Sequence, residues 1–449
     1  MTQVSEITTL AGRVHGPVFQ PGQDGYTEEV AGFQTGVPSS PAVVVGATRP
    51  EDVAAAVRFA ASHGLPVAVQ STGHGLVTGA DGGVLVSTRR MTGVEIDPAT
   101  STARAEAGVH WGAVITAAAE HGLAPLSGSA PDVGVVGYTL GGGFSLMGRK
   151  YGRAADQVRA LDVVTADGEL RHVTADTEPE LFRALLLGGR DNFGIVTALE
   201  FGLVPVTTLY GGGLYFGPEH LGEVLRGWRD WAATAPDEVT TSVAMVPMPD
   251  LPMVPEPLRG KHIAQIRIAY LGDADAGERL VEPLRAIGPR LIDSLTEMPF
   301  TASGSIANEP PHPHAYRGDN TTTGELTDPM IDTILELAGP DAPVDTVLLV
   351  DLLGGKLARQ DDAARFTVRA LSIVDSETAD EVRAAHGKLF TALRPWSTGK
   401  LLTFVYGEHD PHEQAPVVFG ETDLRRLTEA KAKYDPANTF RLSHNIRPN

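Results

Sequence analysis

The chain has 449 residues, 42% apolar and 20% charged, a globular composition with length enough for two cores. It contains no cysteine, which excludes disulfides, zinc–thiolate sites and thiol nucleophiles. A formal charge of -20 disfavours nucleic acid or an anionic membrane as partner; with no bilayer-length apolar run and no signal-like apolar core in the polar stretch 1–23, a cytoplasmic protein is the expectation.

Ala42–Val45 reads as a short strand. A helix then opens at Pro50, with Glu51 and Asp52 in its first turn and Val53, Val57, Ala60 and Ala61 as its buried stripe. Gly64 and Pro66 stop it, and Val67–Val69 completes a strand–helix–strand unit. The strand ends in Gln70, Ser71, Thr72, Gly73, His74 and Gly75. Small residues there let backbone N–H groups turn towards an anion such as a pyrophosphate, with His74 beside whatever carries it. The alternative is an ordinary loop with an exposed histidine. Val84–Ser87, Val94–Ile96 and Thr102–Ala107 read as a meander, and Trp111–His121 as a second helix.

Glycines stand at 128, 134, 137, 141, 142, 143, 148 and 152. Such density costs backbone entropy and gains a core nothing, so it points to main chain pressed against a large flat or phosphorylated ligand. A flexible linker is the rival, but Val133, Val135, Val136, Tyr138, Leu140 and Phe144 are interleaved and argue for order. Ala160–Ala166 and Leu170–Thr174 form a hairpin across Asp167 and Gly168, and Glu178–Leu187 is helical. A third glycine turn, Gly188–Gly194, leads into a long strand, Ile195–Pro205.

From Thr207 the pattern changes. Met245–Pro257 and Ala302–Thr323 read as loops. Ile263–Tyr270 alternates, with Gln265 and Arg267 on its polar face, and Val344–Leu353 is a further strand. Helices are expected over Pro218–Ala233, Ala276–Ile287, Asp328–Leu337 and Ser376–Leu393. They describe an α+β module whose sheet offers one face to helices and the other to a cavity. Leu401–Asp410 looks like another strand of it. The last stretch is a charged helix from Asp423, with Leu424, Leu427 and Ala430 inward.

Four ordered motifs carry a resemblance. They are QSTGHG at 70–75; VGVVGYTLGGGF at 133–144 with RKYG at 149–152; NFGIVT at 192–197; and YDPANTFR at 434–441 with HNI at 444–446. Together they resemble flavoproteins with a vanillyl-alcohol-oxidase-type (PCMH-type) FAD domain, specifically the berberine-bridge-enzyme-like oxidases. Gln70 stands where the family usually has arginine.

The resemblance implies a two-part FAD-binding domain, 1–206 and 411–449, around an inserted substrate domain, 207–410, of antiparallel sheet covered by helices. It implies that His74 bonds the flavin 8α carbon; a pyrophosphate-loop histidine that never bonds the flavin is the rival. The implied cofactor contacts are Gln70, Ser71, Thr72, Gly73, Gly75, Gly128, Ser129, Ala130, Val133, Gly134, Gly137, Tyr138, Gly141, Gly142, Gly143, Asn192, Gly194, Ile195, Val196 and Asn445. Ala130 occupies the place of a second, cysteinyl tether, so FAD is expected to be mono-covalent, with a roomier face for a bulky substrate. No metal is expected.

Family members commonly carry an Asn-Tyr pair on a substrate-domain strand; here Thr403 and Phe404 stand in its place, and phenylalanine takes no proton. Tyr406, Tyr138 and Asp351 are the candidate proton acceptors, and for each the blander reading, a satisfied tyrosine or a surface acid, is favoured. His312 and His314 form a cavity lid or have no role. The implied activity is hydride transfer from a C–H beside oxygen or nitrogen of a small molecule, of the kind met in natural-product tailoring, with O2 as acceptor. The competitor is a flavin scaffold without net redox, a cyclase or dehydratase, which the missing Asn-Tyr pair favours. Oligomeric state stays open.

Overall fold

The computed structural model describes residues 2–358, 363–409 and 414–448. Strands Val43–Gly46 and Val67–Gln70 flank Val84–Ser87 in a small sheet, each parallel to it in register with Val84, and Val18–Phe19 adds an antiparallel edge. The helix Pro50–Ser62 packs Val53, Val57 and Ala60 onto Val43, Val45, Val84 and Val86.

Val84–Ser87 therefore does not belong to a meander. Its four residues are all buried, as a strand covered on both faces requires. Val94–Asp97 alternates between exposed and partly buried and pairs with Thr102–Glu106 as a hairpin in a second, antiparallel sheet. That sheet runs Val94–Asp97, Thr102–Glu106, Ile195–Gly202, Val158–Val164, Leu170–Thr174. The glycine-rich segment between them is ordered, with short helices at Val135–Leu140 and Gly148–Tyr151.

Residues 208–399 supply a third, nine-stranded sheet, its pairings antiparallel throughout. The helices Leu221–Ala232, Ala274–Arg285, Asp328–Ala338 and Ala379–Leu393 bury Trp228, Leu284, Ile331 and Leu389 against one face of it. The opposite face carries Arg267, Ser242, Asp351 and Arg369 towards the first two sheets.

Three expectations fail here. The expected loop Ala302–Thr323 ends in a strand, Tyr316–Thr323, paired along its whole length with Phe366–Ile373. The expected loop from Met245 starts later, because the strand Val239–Pro247 stays paired as far as His262. Leu401–His409 is no strand: Leu402–Phe404 is a 3-10 turn, and Tyr406 alone bridges Gly318. Phe404 and Tyr406 accordingly do not share a strand face.

The helix Gln414–Tyr434 is kinked at Gly420 and returns Leu427 and Ala430 to the core of the second sheet, while Leu424 stays partly exposed. Lys431, fully buried, donates to Asp435 (2.7 Å) and to the carbonyls of Asn192 and Phe440 (2.8 Å each), so the C-terminal segment is locked onto the third glycine turn. The expected domain boundary at 410–411 lies outside the described residues.

Candidate active site

A cavity of about 1150 Å³ lies between the two small sheets and the polar face of the large one. The histidine loop forms its floor and is clamped by the preceding chain. Phe33 N–H donates to the Thr72 carbonyl (2.8 Å) and Gln34 N–H to that of Gly73 (3.1 Å). Gly73 has φ +74°, and a side chain there would stand 2.6 Å from Gly32 Cα, so only glycine fits. Gln70 lines the wall but spends its amide on the carbonyls of Val30 and Ala31, bracing the strap above the loop.

His74 lies flat on Phe33, ring centroids 3.9 Å apart and 12° from parallel. Its Nδ1 meets Thr72 Oγ1 at 2.9 Å, while Nε2 makes no hydrogen bond and faces Asp132 Oδ2 at 3.4 Å. Burial pushes the imidazole pKa down and the Asp132 carboxylate opposes it; the net shift is downward, leaving a neutral ring. Tyr316 donates its hydroxyl to the His74 carbonyl at 2.6 Å and fixes the loop from the far side.

Ser71, Thr72, Gly75, Gly128, Ser129, Ala130, Val133, Gly134, Gly137, Tyr138, Gly194 and Val196 line the cavity with them. Six expected contacts stand behind that wall. Gly141 leaves room for the Arg190 guanidinium, 2.8 Å from where a Cβ would sit; Gly142 (φ +108°) and Gly143 (φ +73°) turn the chain, and Gly143 packs under the Tyr138 ring. Asn192 binds the carbonyls of Gly189 and His444 and the N–H of Ile446, a structural clamp. Ile195 is core, and Asn445 is buried beside His444 with its Oδ1 unpartnered.

Polar atoms on the wall are conspicuously unspent. Ser71 Oγ, His74 Nε2, Tyr138 Oη, Arg190 Nε and both ring nitrogens of His444 are buried without a hydrogen bond among the described residues. Buried polar groups are normally satisfied, so a cluster of exceptions around one cavity marks the seat of a large polar ligand. Arg190, at φ +39°, gives no signal of its own in the sequence, where it stands within a turn marked by its glycines. It puts a half-buried cation between Gly75 and Gly141. The donors and bare backbone fit a flavin dinucleotide.

On the opposite wall Asp351 and Arg369 form a two-pronged ion pair, and the Arg369 guanidinium sits 4.1 Å over the Phe404 ring. Asp351 is thereby engaged and is no free proton acceptor. Tyr138 is enclosed, edge-on to Trp111, and burial pushes its phenol well up, which removes it as a base near neutrality. Tyr406 lies edge-on to Tyr316; burial pushes its pKa up too, but the nearby Arg369 favours the ionised form. His312 and His314 are on the rim, with His314 against Phe33 and Tyr316. Arg369, Tyr316, Glu309 and Asp132 are site residues the sequence did not single out; each arrives from a separate element, and no local spacing announces it.

Fold and site define a class: a protein in which a large antiparallel sheet lies over two smaller ones, with a cavity between them that fits a large cofactor. Residues 41–174 match the FAD binding domain family, and residues 409–447 the berberine and berberine-like family. An FAD-linked oxidoreductase of Dictyostelium discoideum is 26% identical over 449 residues, covering 97% of this chain and 95% of that one. (R)-6-hydroxynicotine oxidase of Paenarthrobacter nicotinovorans is 32% identical over 290 residues, 63% of this chain and 60% of its own. The crystal structure of 6-hydroxy-D-nicotine oxidase from Arthrobacter nicotinovorans superposes with a TM-score of 0.83 at 25% identity, over 97% of this chain and 98% of that one. The chain thus carries an FAD binding domain and a berberine-like segment, and over nearly its whole length it is similar to FAD-linked oxidoreductases and oxidases.

Proposed function

We propose that this enzyme is an oxidase with FAD joined through a single bond to His74, acting on a bulky small molecule at a C–H beside oxygen or nitrogen. The observation that supports it most is the state of His74: a neutral imidazole, oriented by Phe33 and Thr72, with one nitrogen unspent at the cavity floor. When bound, FAD would supply two-electron redox chemistry, as acceptor for a substrate hydride, with O2 as the final oxidant and peroxide as its product.

The chain's own groups do the rest. Ser71, the backbone around Gly128–Gly137, Arg190 and His444 hold the cofactor's polar parts, and Asp132 faces the tethering nitrogen. Tyr406 is the group set to bind the substrate's O–H or N–H and take its proton, with Arg369 favouring the phenolate against desolvation. Ala130 leaves open the wall that a second tether would occupy, and the large cavity suits natural-product tailoring.

A fluorescent flavin band that survives denaturation, absent in His74→Ala, supports the tether; a band retained in His74→Ala overturns it. Anaerobic bleaching of the visible flavin absorbance by substrate, with peroxide formed in air, supports the oxidase. The high phenol pKa of Tyr406 favours the second reading, a cyclase or dehydratase; turnover with unchanged absorbance would establish it instead.

A further inference from the structure

The cavity extends beyond the flavin loops along the large sheet. Arg267 there lies on the same face as Ser242 and Asp351, with Ser242 as the cross-strand partner of both. Its backbone is fixed from behind, where Thr241 Oγ1 donates to the Arg267 carbonyl (2.8 Å) and Trp228 Nε1 donates to Thr241 (3.0 Å). Its Nε donates to Gln265 Oε1 (3.0 Å), and Gln265 is itself held by Tyr215 and the Ile306 carbonyl.

The terminal nitrogens are different. No hydrogen bond to them and no carboxylate within ion-pair distance is found among the described residues. Asp351, the acid across the sheet, gives both oxygens to Arg369. Glu309, exposed at the mouth, accepts from Ser129 (2.5 Å) and attracts Arg267 only at longer range. A guanidinium braced at Nε, with its outer edge open to a cavity, is shaped to receive an oxyanion on two parallel N–H groups.

Next to it the cavity turns apolar. Val254, Leu258 and Ile263 form a small cluster with Val246, Met248 and Ile292, and Met253 stands exposed at its edge.

We infer that the substrate is an amphipathic carboxylic acid, whose carboxylate pairs with Arg267 while its hydrocarbon or aromatic body fills the Val254–Leu258–Ile263 annex. Arg267 is a specificity residue and takes no part in the redox step. The inference rests on the proposed function in treating this space as the substrate chamber, but it is tested separately from the tether and from flavin reduction.

The experiment is equilibrium binding to FAD-loaded protein, followed by perturbation of the flavin spectrum and by calorimetry. Matched pairs serve as probes: 4-phenylbutyrate against 4-phenylbutyramide, and octanoate against octanamide. The acid is expected to bind tighter than its amide by about tenfold to a hundredfold, the range of a charge-assisted hydrogen-bonded pair. Arg267→Gln should remove that preference, leave the amide's affinity within about twofold, and lower affinity only for the acids. Glu309→Gln should tighten the acids, because a like charge leaves the mouth. Equal affinity of acid and amide, no binding of either acid at millimolar concentration, or an unchanged preference in Arg267→Gln overturns the inference. A flavin that is tethered and bleached normally beside any of those results leaves the oxidase assignment standing and removes only the carboxylate.

Discussion

Asp351 holds Arg369 with both carboxylate oxygens, Oδ2 to Nε at 2.7 Å and Oδ1 to Nη2 at 3.0 Å, across neighbouring strands of the large sheet. The pair is mostly buried, with side-chain exposures of 11% and 17%, and it aims one guanidinium at Phe404 and Tyr406. Removing the acid strands that cation. Asp351→Asn is expected to cost about 2–4 kcal/mol, somewhat under the value for a fully enclosed pair because some solvent reaches this one. Urea unfolding measures it, and a loss below about 1 kcal/mol would show that solvent already screens the pair.

Tyr406 sets the pH dependence of the proposed reaction. A proton acceptor works only when ionised, and burial holds this phenol above its ordinary range. The logarithm of kcat/KM should therefore climb from neutrality into the alkaline range. In Tyr406→Phe the slope should vanish and kcat fall by about a hundredfold, within the usual reach of general-base catalysis. Arg369→Gln removes the cation that favours the phenolate and should move the rise to still higher pH. A pH profile in Tyr406→Phe that keeps the native slope would place the proton elsewhere.

What the sequence discloses is what local signals carry. Pro50, Glu51 and Asp52 start a helix and Gly64 and Pro66 stop it, so the unit 42–69 is legible within a few residues. The Gly73–His74–Gly75 turn is equally local. Pairing partners are not: Val84–Ser87 pairs with the two preceding strands rather than with the one that follows, and its residues are buried by the Pro50–Ser62 helix together with Phe19, Tyr26 and Leu442 from elsewhere in the chain. Gly211–Gly213 and Thr321–Thr323 hide two strands of the large sheet, since neither run alternates apolar with polar residues. The substrate wall escapes for the same reason, because Arg267, Asp351, Arg369, Tyr316 and Tyr406 meet only through sheet order.

Lys431 is the structural counterpart, an ammonium with no exposed surface that draws together Asp435, Asn192 and Phe440. Burial pushes its pKa down, and Asp435 is the main force opposing that. Lys431→Met leaves the Asp435 carboxylate buried, although Thr439 and Phe440 N–H groups still donate to it. The expected loss is about 3–5 kcal/mol. Because the same contacts seat Asn192 and the 444–446 segment, the share of chains loaded with FAD during expression, read as the ratio of flavin to protein absorbance, should fall with stability. Lys431→Arg, which keeps the charge in a larger group, should recover part of both.

Asp52 ties the N-terminal strap at His15 and Gly16 to the helix Pro50–Ser62. Its Oδ1 accepts from His15 N–H (2.8 Å), and its Oδ2 from Gly16 N–H (3.2 Å), Thr48 N–H (3.0 Å) and Thr48 Oγ1 (2.8 Å), with no side-chain surface exposed. Burial alone would raise this pKa. The four donors outweigh it, so the folded value lies below the ordinary aspartate value of 3.8. A depressed carboxylate pKa stabilises the fold above the unfolded value and loses that contribution as pH falls through the folded one. Native stability should thus drop steeply below about pH 4. Asp52→Asn turns an NH2 group towards backbone donors and should cost about 2–3 kcal/mol at pH 7. The gap between the two proteins, followed by urea unfolding at stepwise lower pH, should narrow below pH 4, since only the native carboxylate has a proton to gain. Parallel curves over that range would show that Asp52 is already as protonated in the fold as in the unfolded chain, and that the strap is held by something else.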